Sequence, residues 1–234
     1  MLVPVILAFA AATQTPPTTA PAPANPRVEQ TDDADSRLLD TAFGFIQRKQ
    51  PDQSIPILDG IISRAEARYA RETRVIYTSR SLAETVYYGG LAAAAKKSAV
   101  ILDETWSMAL FLKAFALIDL NRPDEAKPLL DRAIAMAPMN SHYLGERGEW
   151  FKTRRDWTRA YADFSAAANA ADLSPDDMKS FDKRRAWRGM AYVRIEQGQL
   201  DDAERLLRQA LQLDPNDAGA KQELDYIRSV RSKK

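Results

Sequence analysis

The sequence predicts an all-α protein of stacked helical repeats, and three observations predict it. Positions Ser107 to Pro215 echo one another at a period of 34 residues. Glycine and proline breaks such as Asn121-Arg122-Pro123 and Gln197-Gly198-Gln199 mark turns between helices. A segment near the N-terminus, Pro51-Asp52-Gln53-Ser54-Ile55-Pro56-Ile57-Leu58-Asp59, repeats the pattern of Pro123-Asp124-Glu125-Ala126-Lys127-Pro128-Leu129-Leu130-Asp131. Proline is tolerated in the first turn of a helix, and aspartate there meets the positive end of the helix dipole. Both segments therefore read as helix starts.

The blocks carry small residues at fixed places. From Ser107 these are Ala114, Ala126 and Ala133, with Leu130 and Pro138; from Ser141 they are Gly148, Ala160 and Ala167, with Phe164. After an insertion at Pro175 to Lys183, the block from Arg184 carries Trp187, Ala191, Ala203, Leu207, Ala210 and Pro215. Two helices joined by a short turn approach to about 8–10 Å, which small residues permit while a large neighbour fills the groove beside them. This pattern resembles the tetratricopeptide repeat (TPR) family. The resemblance implies a right-handed superhelical solenoid of about five helical hairpins closed by a C-terminal capping helix. Its usual product is a binding surface.

In chain order, Leu2 to Ala12 is a short apolar run with Ala-x-Ala arrangements, which looks like the end of a signal peptide despite lacking a basic leader. It is too short to span a bilayer. Residues 13–34 form a Pro/Thr/Ala-rich linker whose prolines disfavour helix and sheet. Repeat units are expected near 35–68, 73–106, 107–140, 141–174 and 184–217. The unit at 73–106 keeps Ala92 and Ala99, but Arg80 and Lys96 stand where small and large apolar residues belong. The insertion at Pro175 to Lys183, with Asp176-Asp177, is suited to lengthening the first helix of the last unit. Residues 218–234 provide the capping helix, with Ala220, Leu224, Ile227 and Val230 near one face, and a basic tail.

Composition narrows the function classes. With 33 basic and 32 acidic residues the net charge is +1, which exerts no general pull on nucleic acid. The absence of cysteine removes disulfides, thiolate metal sites and redox pairs. One histidine, His142, limits acid–base and metal chemistry, and no Gly-x-Ser-x-Gly elbow accompanies it. Gly145-Glu146-Arg147-Gly148 lacks the ending of a phosphate loop, and Asp214 to Asp225 lacks an oxygen at Ala218 for a calcium loop. We expect no enzyme, cofactor or metal.

In the TPR family the first helices of the hairpins line a concave groove. The positions that the resemblance places there include Tyr77, Met108, Phe111, Phe115, His142, Lys152, Arg185, Arg188 and Tyr192. Phe111 and Phe115 lie four apart on one helical face, and aromatics beside arginines are typical interface anchors. The resemblance implies a scaffold that binds a protein or extended peptide, without nucleic acid or an integral membrane span in the mature form. Its expected setting is the bacterial periplasm or outside the cell, with the cytoplasm as alternative. A second reading is a small-molecule or lipid binder with an apolar pocket around Phe111 and Phe115.

Overall fold

A computed structural model describes residues 28–31 and 33–232. In chain order its elements are β1 (Val28–Glu29), α1 (Asp33–Gln47), α2 (Pro51–Arg68), β2 (Val75–Ser79), α3 (Leu82–Ala94) and β3 (Ala99–Asp103). Then follow α4 (Thr105–Asp119), α5 (Pro123–Met136), α6 (Ser141–Thr153), α7 (Trp157–Ala170), α8 (Lys179–Glu196), α9 (Leu200–Leu213) and α10 (Ala218–Arg231).

Four hairpins share one turn. Lys49, Asn121, Arg155 and Gly198 all adopt left-handed backbone, with φ of 61°, 59°, 56° and 73°. In each turn the following amide reaches back to the preceding helix: Gln50 to the Phe45 carbonyl (3.0 Å), Arg122 to Leu117 (2.8 Å), Asp156 to Phe151 (3.1 Å) and Gln199 to Arg194 (2.8 Å). These bonds satisfy carbonyls that a helix end would otherwise leave bare. Pro51 and Pro123 open their helices from the first turn, where no intrahelical donor is lost. Side chains of Asn140, Asp156 and Asp217 accept amides at the starts of α6, α7 and α10.

The repeated small residues are the contact line. Ala42, Ala114, Ala126, Ala133, Ala160, Ala167, Ala191, Ala203 and Ala210 are all fully buried. Helix α2 packs on α4, α5 on α6, α7 on α8, and α10 closes the stack on α9 and α8. The Phe164 ring of α7 lies against both α6 and α8. A Cβ at Gly148 would lie 2.8 Å from its ring, and one at Gly189 would lie 2.5 Å away.

Residues 73–106 depart from the expected helical hairpin. They form a β-α-β unit: β2 and β1 flank β3 in a parallel sheet ordered β1-β3-β2. Val75-Ile76-Tyr77-Thr78 is a β-branched and aromatic run suited to a strand, and Val100-Ile101-Leu102 is a continuous apolar run buried on both faces, as a central parallel strand requires. Lys96, with φ of 52°, ends α3. The small residues that fitted the repeat frame serve other ends: Ala92 is buried on the inner side of α3, and Ala99 begins β3. The hairpins therefore number four among the described residues, and α2 packs on α4 across the inserted unit. The end of the 13–34 linker also differs, because Val28–Glu29 pairs with β3 and α1 already begins at Asp33. The Thr31 hydroxyl donates to Asp103 at 2.5 Å. The apolar run at Leu2 to Ala12 and residues 13–27 lie outside the described residues.

The insert is bolted across the N-terminal ends of α4, α6 and α8. Thr78 donates to Ser107 at 2.7 Å, and Ser107 lies 3.2 Å from the Tyr143 hydroxyl. The Tyr88 hydroxyl accepts the Met139 amide at 3.2 Å, and Ser81 donates to the Leu173 carbonyl at 2.7 Å. Arg80 pairs with Glu84 at 2.7 Å and approaches Asp182 of α8 at 3.9 Å.

Candidate partner-binding cleft

The nine groove positions read from the sequence fall into two sets. Tyr77 lies in β2, with its ring stacked on Tyr88 at 5.2 Å. Phe111 is 4% exposed, stacked on Tyr143 and met edge-on by His142, both at 5.0 Å. Met108 and Phe115 pack against the main hydrophobic core. Phe111 thus serves the packing between α4 and α6, while Phe115 is partly buried.

His142 is partly buried, with its Nδ1 shielded from solvent. Its imidazole is pushed down to about 3, first by burial and then by the nearby charges of Arg185 and Arg80, and its Nδ1 has no hydrogen-bond partner. The unfolded chain holds a histidine proton near its ordinary value of about 6.5, whereas the folded chain refuses it. Stability contributed by the neutral ring is complete above that value and falls as the pH drops toward 3. Urea unfolding is expected to show a loss of about 2 kcal/mol from this group between roughly pH 7 and pH 5, which His142→Leu should flatten. Equal pH dependence in both proteins would contradict the burial of a neutral ring.

The other four positions converge. Lys152 of α6, with Arg185, Arg188 and Tyr192 of α8, lines a cleft of about 210 Å³ together with Glu149, Gly189, Gly219 and Glu223. Arg185, Arg188, Gly189 and Tyr192 are spaced to occupy one face of α8. Glu149 and Lys152 sit three apart on α6, while Gly219 and Glu223 sit four apart on α10. Sequence reasoning missed Gly219 and Glu223, because α10 read only as a cap with a solvated outer side.

Buried acids hold the cleft's cations in place. Arg185 donates to Glu146 at 2.7 Å, and its Nη1 is buried without a hydrogen-bond partner. Arg188 and Arg184 both donate to Asp217 at 2.6 Å. Burial disfavours the Asp217 carboxylate, but bonds from Arg188, the Ala220 amide and Arg184 outweigh it and hold the carboxyl below its usual range. Lys152 pairs with Glu149 and places its ammonium 4.6 Å from the centre of the Tyr192 ring. Burial raises the Glu223 carboxyl above its usual range against the opposing pull of Lys152 and Arg188. The cleft thus offers the partly exposed cations Lys152 and Arg188, a half-buried carboxylate and an aromatic face. These suit a chain with carbonyls, a cationic group and an apolar side chain.

Two segments match models of the tetratricopeptide repeat, residues 109–140 and 184–224. No curated protein sequence matches the chain. Among solved structures, PilF of Pseudomonas aeruginosa superposes with a TM-score of 0.62 at 14% identity, over 86% of this chain and 71% of that one. MamA of RS-1, in an ArsTM double mutant, superposes with a TM-score of 0.55 at 14% identity, over 86% of each chain. At such identities the likeness is one of fold.

Proposed function

We propose, on the premise that this chain is a tetratricopeptide-repeat protein, that it is a scaffold whose α6–α8–α10 cleft receives an extended segment of a protein partner. The observation that carries this reading is the convergence of Lys152, Arg185, Arg188 and Tyr192 with Glu223 in one cleft, where donor, acceptor and ring are all presented together. Arg185 and Arg188 address carbonyl or carboxylate oxygens of the segment. Glu223 and Glu149 address a basic side chain, and Tyr192 supports an apolar one. Nothing in this arrangement calls for bond making, so the role is binding without catalysis. The bacterial cell envelope is the setting we favour, supported by the apolar run Leu2 to Ala12 and the Pro-rich stretch after it; N-terminal sequencing of the mature protein tests that setting.

A photo-crosslinking residue at position 192 of the full chain is expected to trap a partner in cells of the source organism. The same residue in place of Tyr226, 53% exposed on α10, should trap it far less. Lys152→Glu with Tyr192→Ala should weaken binding of the trapped partner about tenfold or more, since aromatic anchors dominate such interfaces. Both side chains are half-buried, so circular dichroism of the double variant checks that it is folded before the affinities are compared. Equal trapping at both positions, or affinity unmoved by the double variant, would place the binding surface elsewhere.

A further inference from the structure

Helix α3 is turned inside out. Its polar residues Glu84 and Thr85 are buried against the rest of the protein, together with Tyr88 and Ala92. Its outer face carries Leu82, Val86, Tyr87 and Leu91, which are 78%, 58%, 42% and 38% exposed. Ala83, Gly90, Ala93 and Ala94 complete that face, so α3 shows solvent no charged group. Burial of apolar area is favourable in water, so a contiguous outward apolar face marks a site of interaction.

The C-terminal end of the patch carries positive charge, while Asp103 and Glu104 share a cleft with Leu82 at its other end. Lys96 and Lys97 follow directly on α3 and are exposed, and Glu84, the only acid of the helix, is spent on Arg80 inside. Four side chains of this size offer roughly half of the ~800 Å² per partner that a standard protein interface buries. A second copy docking on this patch alone is therefore poorly supported. No helix among the described residues is long and apolar enough to cross a membrane. An apolar helix face with lysines at its end fits instead the headgroup boundary of an anionic bilayer, on which it would lie.

We infer that α3 is a membrane-docking face, seating Leu82, Val86, Tyr87 and Leu91 in the surface of an anionic phospholipid bilayer with Lys96 and Lys97 against the headgroups. The cleft on α6, α8 and α10 is formed by other elements, so membrane docking and partner binding can fail separately.

The chain has no cysteine, so a single introduced one takes a polarity-sensitive nitrobenzoxadiazole dye at a unique place. Gly90 lies in the middle of the patch, and a Cβ added there would meet nothing within 4 Å, which leaves room for the label. Full-length Gly90→Cys, labelled, is expected to brighten about threefold or more on phosphatidylcholine vesicles containing phosphatidylglycerol, and much less on phosphatidylcholine alone. Gln209→Cys, on exposed α9 surface, should stay dim and reports any contribution from the N-terminal run. Leu82→Glu with Val86→Glu should abolish the response, and Lys96→Glu with Lys97→Glu should reduce it without touching the apolar face. The inference is overturned by no brightening on anionic vesicles, by equal brightening at both label positions, or by brightening without lipid that grows with protein concentration. The last result would assign the patch to a second copy.

Discussion

Replacing Phe164 by alanine is expected to lower stability by about 3–5 kcal/mol, because the ring fills the space where three hairpin helices meet. Phe164 is 1% exposed, and the backbones of Gly148 on α6 and Gly189 on α8 press against it. The same geometry predicts the opposite error. Gly189→Ala would place a methyl 2.5 Å from the ring and should cost about 1–3 kcal/mol through overpacking, although alanine is the better helix former. Combining Gly189→Ala with Phe164→Leu should recover part of the loss, since the smaller side chain yields the space. Urea denaturation of the four proteins measures this coupling. Strict additivity would show that the three helices do not meet through this ring.

How much of this was legible in the sequence follows from where the period governs the packing. Between Ser107 and Asn216 each small residue sits where two helices touch, so the 34-residue spacing reports tertiary contact directly. The Pro-Asp opening likewise gave away α2, since proline and aspartate at a helix start act locally. The stretch from 73 to 106 misled because small residues at two repeat positions outweighed the strand-like run Val75-Ile76-Tyr77-Thr78. Arg80 and Lys96 were the warning: one reaches a buried ion pair, the other a left-handed turn. The cleft was half legible. The resemblance to the repeat family placed Arg185, Arg188 and Tyr192 in the groove, but Phe111 packs on His142 and Tyr143 of the next hairpin, a contact distant in sequence. Glu223 enters the cleft because α10 folds against α8, which no local pattern encodes.

Arg80→Met is expected to cost about 3–5 kcal/mol, the loss typical of a buried ion pair deprived of one partner. The Arg80 side chain is 8% exposed, and those of Glu84 and Asp182 are 0% and 1% exposed. Burial works against the Arg80 charge, yet Glu84 and Asp182 more than offset it and raise the group above its usual range. Burial also lifts the Glu104 carboxyl, which feels the same guanidinium. Removing that cation leaves several acids facing one another away from water. The damage should be regional, because Arg80 ties the insert to α8 while α2 and α4 pack directly on each other. Hydrogen exchange should therefore accelerate most across β2, α3 and β3, with α6 to α9 retaining their protection. Arg80→Lys restores the charge but not the forked bonds to Glu84 and should recover only part of the loss. Uniform loss of protection along the whole chain would mean that the insert and the hairpins unfold as one unit, and that Arg80 is no local bolt.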